Sequence, residues 1–262
     1  MTDQQKTALS TMLLCLADDE YILGHRMSEW TGQGPIIEED IAFSSMAQDE
    51  LGHALGFYTL LHELGADDPD TLVFTRDASA YRNSIFTEQP RGDYAYSMMR
   101  QFLYDGAETE RLGALVSSAF EPLRDLASRM LQEERYHWMH NATFVRRLAQ
   151  GTEESRLRMQ SALTEAFPFA LGLFEPYDGE ELLVTEGIAP AEDDLRRRWL
   201  DRMCPLLEEY GLKVPAHRDG DNWRVDAAPV LGGRQGRHTE HLPGILDAMH
   251  VLRSADPDAV NW

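Results

Sequence analysis

The sequence predicts an all-α protein, a four-helix bundle with additional C-terminal helices. Three observations carry this. Apolar residues recur at the helical period along most of the chain. Strand-like alternation bounded by turn pairs is almost absent. Four patterned stretches are each roughly 20 to 28 residues, which at 1.5 Å per residue makes rods of about 30 to 40 Å.

The first helix is expected over 7–27, on a stripe of Leu9, Met12, Leu13, Leu16, Leu23 and Met27, with Glu20 on the same stripe. The Gly/Pro-bearing stretch from Thr31 through Pro35 ends it. The second starts after Pro35, with Glu38, Glu39 and Asp40 in the first turn, where the helix dipole favours negative charge. It ends near 64, before Gly65, and its stripe is Phe43, Met46, Ala47, Glu50, His53, Ala54, Phe57, Leu61 and Leu64. A polar link follows, long enough for a short helix of its own. The third helix, 94–120, turns Met98, Phe102, Asp105, Thr109, Leu112 and Val116 inward. Pro122 opens the fourth, which ends near Gly151 with Leu126, Met130, Glu134, His137, Asn141, Phe144 and Leu148 inward. Further helices are expected over 152–174, 191–210 and 239–253. The Gly-, Pro- and charge-rich stretch 212–237 reads as irregular. Residues 1–262 are read as a single domain, with a core bundle over about 7–151 and a helical extension over about 152–262.

The chain has 262 residues, with 24 Lys and Arg against 45 Asp and Glu, a formal charge of −21. That balance argues against nucleic acid as a partner and against an anionic membrane surface. Hydrophobic residues at 43% and charged residues at 26% fit a soluble globular protein. The two cysteines, Cys15 and Cys204, cannot form a disulfide framework and suit a reducing compartment. No apolar run reaches membrane length and no targeting pattern is visible, so the expected location is the cytoplasm.

Two segments carry the chemistry: Asp49-Glu50-Leu51-Gly52-His53 and Glu133-Glu134-Arg135-Tyr136-His137. Each contains Glu-x-x-His, which puts a carboxylate and an imidazole on one helix face. One such pair is common by chance. Here both lie on the apolar stripe, and one acid interrupts the stripe of each remaining long helix: Glu20 and Asp105. The chain order is acid, Glu-x-x-His, acid, Glu-x-x-His. This is the pattern of a carboxylate-bridged two-metal site in a helix bundle. Four carboxylates brought together away from water would repel; two divalent cations would cancel their charge. Oxygen donors with a few imidazoles suit iron, with manganese as the alternative. The expected ligands are Glu20, Glu50, His53, Asp105, Glu134 and His137.

Asp49 and Glu133 are placed to accept a ligand histidine's free N–H, or are surface charge. Thr109, one turn after Asp105, could steer protons, or could bond the carbonyl four residues back. His238-x-x-His241 reads as a helix start or interface before a metal site, Arg196-Arg197-Arg198 as a solvated face, and Tyr58, Tyr104 and Tyr136 as packing before redox.

Beyond the bundle, the stretches 71–77 (Thr-Leu-Val-Phe-Thr-Arg-Asp), Glu88-Gln89-Pro90, Glu186-Gly187-Ile188-Ala189, His238-Thr239-Glu240-His241-Leu242 and Trp262 stand out together. With them the chain, from about residue 14 to 262, resembles the phenylacetyl-CoA ring epoxidases, multicomponent monooxygenases of the ferritin-like superfamily, and most of all their C-type chains. The resemblance implies a ferritin-like bundle, an aromatic acyl-CoA substrate and an oligomeric complex. Its partners would be a separate reductase and a catalytic A-type subunit. It implies that a di-iron pair activates dioxygen with electrons from the reductase. In well-known C-type chains the ligands are largely lost and the protein is structural. Here Glu20 with Trp30, Gln48-Asp49-Glu50 with Gly52-His53, Asp105-Gly106-Ala107 and Glu133-Glu134 with His137 look more like the catalytic A-type chain. Three readings stay open: an oxygenase component with a competent site, a scaffold subunit that retains the ligands, and a stand-alone ferritin-like oxidase.

Overall fold

A computed structural model describes residues 1–256. Among them are ten α-helices and one two-stranded hairpin. The helices are α1 (Asp3–Ser28), α2 (Ile37–Glu63), α3 (Pro69–Phe74), α4 (Ile85–Glu88), α5 (Tyr94–Leu115), α6 (Glu121–Ala149), α7 (Glu153–Leu171), α8 (Glu180–Thr185), α9 (Glu192–Glu209) and α10 (His241–Ala255). Strands β1 (Ala216–Asp219) and β2 (Asn222–Val225) pair antiparallel, Asp219 opposite Asn222. The chain is all-α, as expected.

The ends follow local chemistry. Asp93 accepts from the Tyr96 N–H at 2.9 Å to open α5, and Thr152 accepts from the Ser155 N–H at 3.1 Å to open α7. Gly65 and Gly211, just past α2 and α9, take positive φ of 93° and 84°. The third helix stops at Leu115, five residues short of the expected end, and a turn at Ser117 and Ser118 closes it. The stretch expected to be irregular holds the hairpin, whose two-residue loop starts at Gly220 with φ 63°. Its strands alternate charge rather than apolar residues, so no period-2 signal was visible. Helix α8, a single six-residue segment, was also not expected.

The chain divides into two units: Met1–Leu9 with Arg91–Leu231, and Ser10–Pro90 with Gly232–Trp262. In the first, α5 packs against α6, α7 and α9. Trp199 sits at the centre, fully buried, with ring centroids of Phe167 and Phe174 at 5.5 and 5.6 Å and its indole N–H donating to the Leu103 carbonyl at 3.0 Å. Gly106 makes this approach possible. A Cβ there would lie 2.6 Å from the Met203 sulfur and 3.2 Å from Trp199 Nε1. Of the expected stripe residues, Met98, Phe102, Leu112, Leu126 and Met130 are buried, each such side chain contributing about 1.5–3 kcal/mol, while Thr109, Val116, Phe144 and Leu148 are half-buried.

In the second unit α1 meets α2 at Gly24. A Cβ on Gly24 would meet the Ala47 carbonyl and Glu50 Cβ at 3.2 Å, so a glycine lets the two backbones close together at the level of Glu50. The segments around 75–90 and 232–241 then wrap α1. Arg234 donates to the Cys15 carbonyl at 3.2 Å and the Arg82 carbonyl at 2.9 Å. His238 reaches Glu88 at 2.8 Å and the Tyr81 carbonyl at 3.0 Å, and the Thr239 N–H donates to Glu88 at 2.6 Å. His238 therefore serves this wrap and the approach to α10. Trp262 lies outside the described residues. Among the described residues, no helix is long and apolar enough to cross a membrane. Cys15 and Cys204 are both buried, and neither is joined in a disulfide.

Candidate metal centre

Each unit carries one acid and one Glu-x-x-His pair, and each group is buried. In the second unit these are Glu20, Glu50 and His53, at 1, 0 and 3% exposure. Each offers a ligand atom, and the three atoms lie within 4.8 Å of one another. His53 Nδ1 is 3.5 Å from Glu50 Oε2 and 3.9 Å from Glu20 Oε2. Two carboxylates and an imidazole at this spacing, sealed from water, could hold a hard divalent cation.

Glu20 is the last of three consecutive acids. Successive residues on a helix are about 100° apart, so three of them can all be buried only if α1 is surrounded here. Asp18, Asp19 and Glu20 are all buried. Asp18 is engaged by the Arg76 guanidinium at 2.5 and 3.0 Å, by the Tyr58 hydroxyl at 2.5 Å and by the Arg82 N–H at 2.7 Å. Asp19 accepts from Arg234 at 2.6 Å and from the Ser84 N–H at 2.5 Å. Two acids thus have guanidinium partners, which cancel their charge; Glu20 turns to the imidazole of His53. The Tyr58 hydroxyl titrates far above its ordinary range, through burial first and the Asp18 charge second.

In the first unit Asp105, Glu134 and His137 are buried at 0, 1 and 0% exposure. His137 Nδ1 is 3.1 Å from Glu134 Oε1. Asp105 is held at both oxygens: Gln101 donates to Oδ1 at 2.7 Å and Asn141 to Oδ2 at 2.8 Å. Asn141 lies four residues beyond His137 and seven beyond Glu134, on their face of α6, so Asp105 is tied to the stripe that carries the Glu-x-x-His pair.

The Thr109 hydroxyl is buried and has no hydrogen-bond partner among the described residues; it does not bond the carbonyl four residues back. Asp49 is half-buried and Glu133 exposed. Tyr136 is 47% exposed. Arg196 and Arg197 pair with Asp193 at 3.1 Å and Asp194 at 2.7 Å on an exposed face of α9. Sequence reasoning missed Gln101 as a partner of Asp105, and Arg76 and Arg234 as partners of Asp18 and Asp19. Gln101, one turn before Asp105, had a spacing signal; the arginines had none.

Long helices that carry buried carboxylate–imidazole groups in an all-α chain define the ferritin-like class. Residues 1–262 match the model of the family described as phenylacetic acid catabolic protein, and the chain belongs to that family. It is 32% identical over 250 residues to the C subunit of the 1,2-phenylacetyl-CoA epoxidase of Escherichia coli (strain K12), covering 95% of this chain and 97% of that relative. It is 26% identical over 191 residues to the A subunit of the same bacterium's epoxidase, covering 71% of this chain and 62% of the relative.

Proposed function

We propose that this chain is the di-iron carboxylate component of a phenylacetyl-CoA epoxidase-type multicomponent oxygenase in aerobic phenylacetate breakdown. The observation that carries the reading is the buried set Glu20, Glu50 and His53, with ligand atoms within 4.8 Å of one another. The names of the two relatives support the substrate class.

In this reading Glu20, Glu50, His53, Asp105, Glu134 and His137 act as one ligand set for two iron ions, with manganese as the alternative, within a single ferritin-like domain. When bound, the iron pair supplies the redox chemistry of dioxygen activation. The chain's own residues do the rest. Gly24 and Gly106 admit neighbouring elements beside the ligand helices, and the buried stripes exclude bulk water. The arginines on Asp18 and Asp19 leave Glu20 as the acid of that cluster directed to a cation. The Thr109 hydroxyl holds a proton one turn from Asp105 and is the catalytic residue we assign. At −21 the chain repels polyanionic coenzyme A at long range. Either a local basic patch or another subunit takes the nucleotide end, an A-type subunit and a separate reductase that supplies electrons are the partners, and the complex works in the cytoplasm.

One observation favours a second reading, a non-catalytic subunit of the same complex that keeps its ligands: the match to the C-type relative spans nearly the whole chain, and that to the A-type relative does not. Anaerobic loading with ferrous iron, followed by metal analysis, tests the ligand set; two ions per chain are expected, and none would sink it. Oxygen uptake with phenylacetyl-CoA, reductase and an A-type subunit then decides competence. Loss of uptake in Glu50→Ala of this chain alone supports the catalytic role, and unchanged uptake supports the scaffold. Turnover without any partner would point instead to a stand-alone oxidase.

A further inference from the structure

The segment 232–241 is tied down by an imidazole with no spare nitrogen. His238 Nε2 lies 3.0 Å from the Tyr81 carbonyl oxygen, and Nδ1 lies 2.8 Å from Glu88 Oε2. A carbonyl oxygen can only accept, so Nε2 carries a hydrogen. A second hydrogen lies between Nδ1 and the Glu88 carboxyl group, because two lone pairs facing each other at that distance would repel. The surroundings assign it to the ring. Glu88 also accepts from the Thr239 N–H at 2.6 Å on Oε1 and from the Asn83 amide at 3.2 Å on Oε2. Donors of this kind favour the charged form of a carboxylate. His238 is therefore an imidazolium that donates from both nitrogens.

The pair is sealed and joins distant parts of the chain. The His238 and Glu88 side chains are 5 and 0% exposed, and 150 positions separate them. Two further charged side chains reach its partners. Arg82 donates to the same Tyr81 carbonyl at 2.7 Å, and Arg26 of α1 donates to the Glu88 main-chain carbonyl at 2.8 Å. A guanidinium keeps its charge at any physiological pH, so neither arginine titrates with the pair.

Removing the ring proton leaves a contact that cannot be repaired. Neutral imidazole has one N–H, and both of its neighbours here are acceptors. Either tautomer and either ring flip loses one of the two bonds. The cation is favoured only while the contact is closed. Closure thus contributes stability at low pH that is lost as the pH rises and the ring deprotonates. Imidazole is the side chain whose charge ordinarily changes between about pH 5 and 8. The same segment carries Arg234, which holds Asp19 and the Cys15 and Arg82 carbonyls.

We propose that His238 is a proton-operated latch: as an imidazolium bridging Glu88 and the Tyr81 carbonyl it keeps segment 232–241 closed over α1, and loss of that proton lets the segment lift. The latch is independent of the ligand set and needs no metal.

The test uses the full-length protein. Two-bond 1H–15N spectra should show both His238 ring nitrogens protonated at about pH 6 and one at about pH 9. Over the same range, amide protection in 232–241, corrected for intrinsic exchange, should fall at least about tenfold while that of α5 holds. His238→Gln, with its fold checked by far-UV circular dichroism, should show the low protection at every pH. Glu88→Gln should move the loss of protection to lower pH. A neutral ring with a bare Nδ1 at about pH 6 would put the proton on Glu88 and overturn the latch. Protection that stays constant while the ring titrates would overturn it too, as would a parallel loss in α5, which is the mark of global opening. If the variants do not fold, the wild-type spectra and exchange decide alone.

Discussion

On α1 the acid that faces an imidazole is a glutamate, Glu20, which comes within 3.9 Å of His53 while the two acids before it are tied to arginines. On α5 the corresponding acid is an aspartate, Asp105, one methylene shorter and gripped by Gln101 and Asn141. The first group is prepared by removing competitors: guanidinium groups from residues 76 and 234 neutralise Asp18 and Asp19. In the second, neutral donors hold the carboxylate at both oxygens. The difference lies in the partners: guanidinium groups reach Asp18 and Asp19, and neutral amides reach Asp105.

The largest expected effect removes a shared element of the pattern. Glu50→Ala and Glu134→Ala should each abolish two-ion stoichiometry, read by metal analysis, while far-UV circular dichroism changes little, because each loss relieves charge repulsion in the metal-free protein. A collapse of helicity with metal retained would break the comparison outright. Next comes Arg234→Met. It strands Asp19 as a buried charge and should cost about 3–5 kcal/mol in urea unfolding; a loss under about 1 kcal/mol would show that Asp19 does not need its guanidinium. Gly106→Val should cost roughly 1–3 kcal/mol by forcing α9 off α5, with metal affinity lowered in the step that depends on Asp105. An unaltered melting temperature would remove Gly106 from the account of that group. The smallest effect is Asp93→Ala, which uncaps α5 for about 1 kcal/mol. It should leave metal binding unchanged, since the cap lies three turns from Asp105.

The candidate ligands were legible because polarity on an apolar stripe is conspicuous at helical spacing. Glu20, Glu50, His53, Asp105, Glu134 and His137 all interrupt stripes whose other members are largely buried. The long helices were legible for the same reason, and Gly65 and Gly211 fell where a helix must end. What spacing cannot carry is partner choice across distance. Nothing near Asp18 or Asp19 announces an arginine 58 or 215 positions away. The segments 71–77, 88–90 and 238–242 were visible as a resemblance and acquire a physical meaning only in the fold, where residues from them or beside them wrap α1. The hairpin at 216–225 hid because its strands carry His217, Arg218, Asp219 and Arg224 instead of alternating apolar residues.

The hold of Arg234 on Asp19 sets an order of events in the cell. While the chain is being made, α1 can coil early, yet the Arg234 guanidinium that holds Asp19 is added only after more than two hundred further residues. Contacts that span so much chain form late. The pocket containing Glu20 is therefore expected to mature only after the segment around residue 234 has emerged and closed on α1, and a stalled polypeptide lacking that segment would be a poor place for a metal to settle.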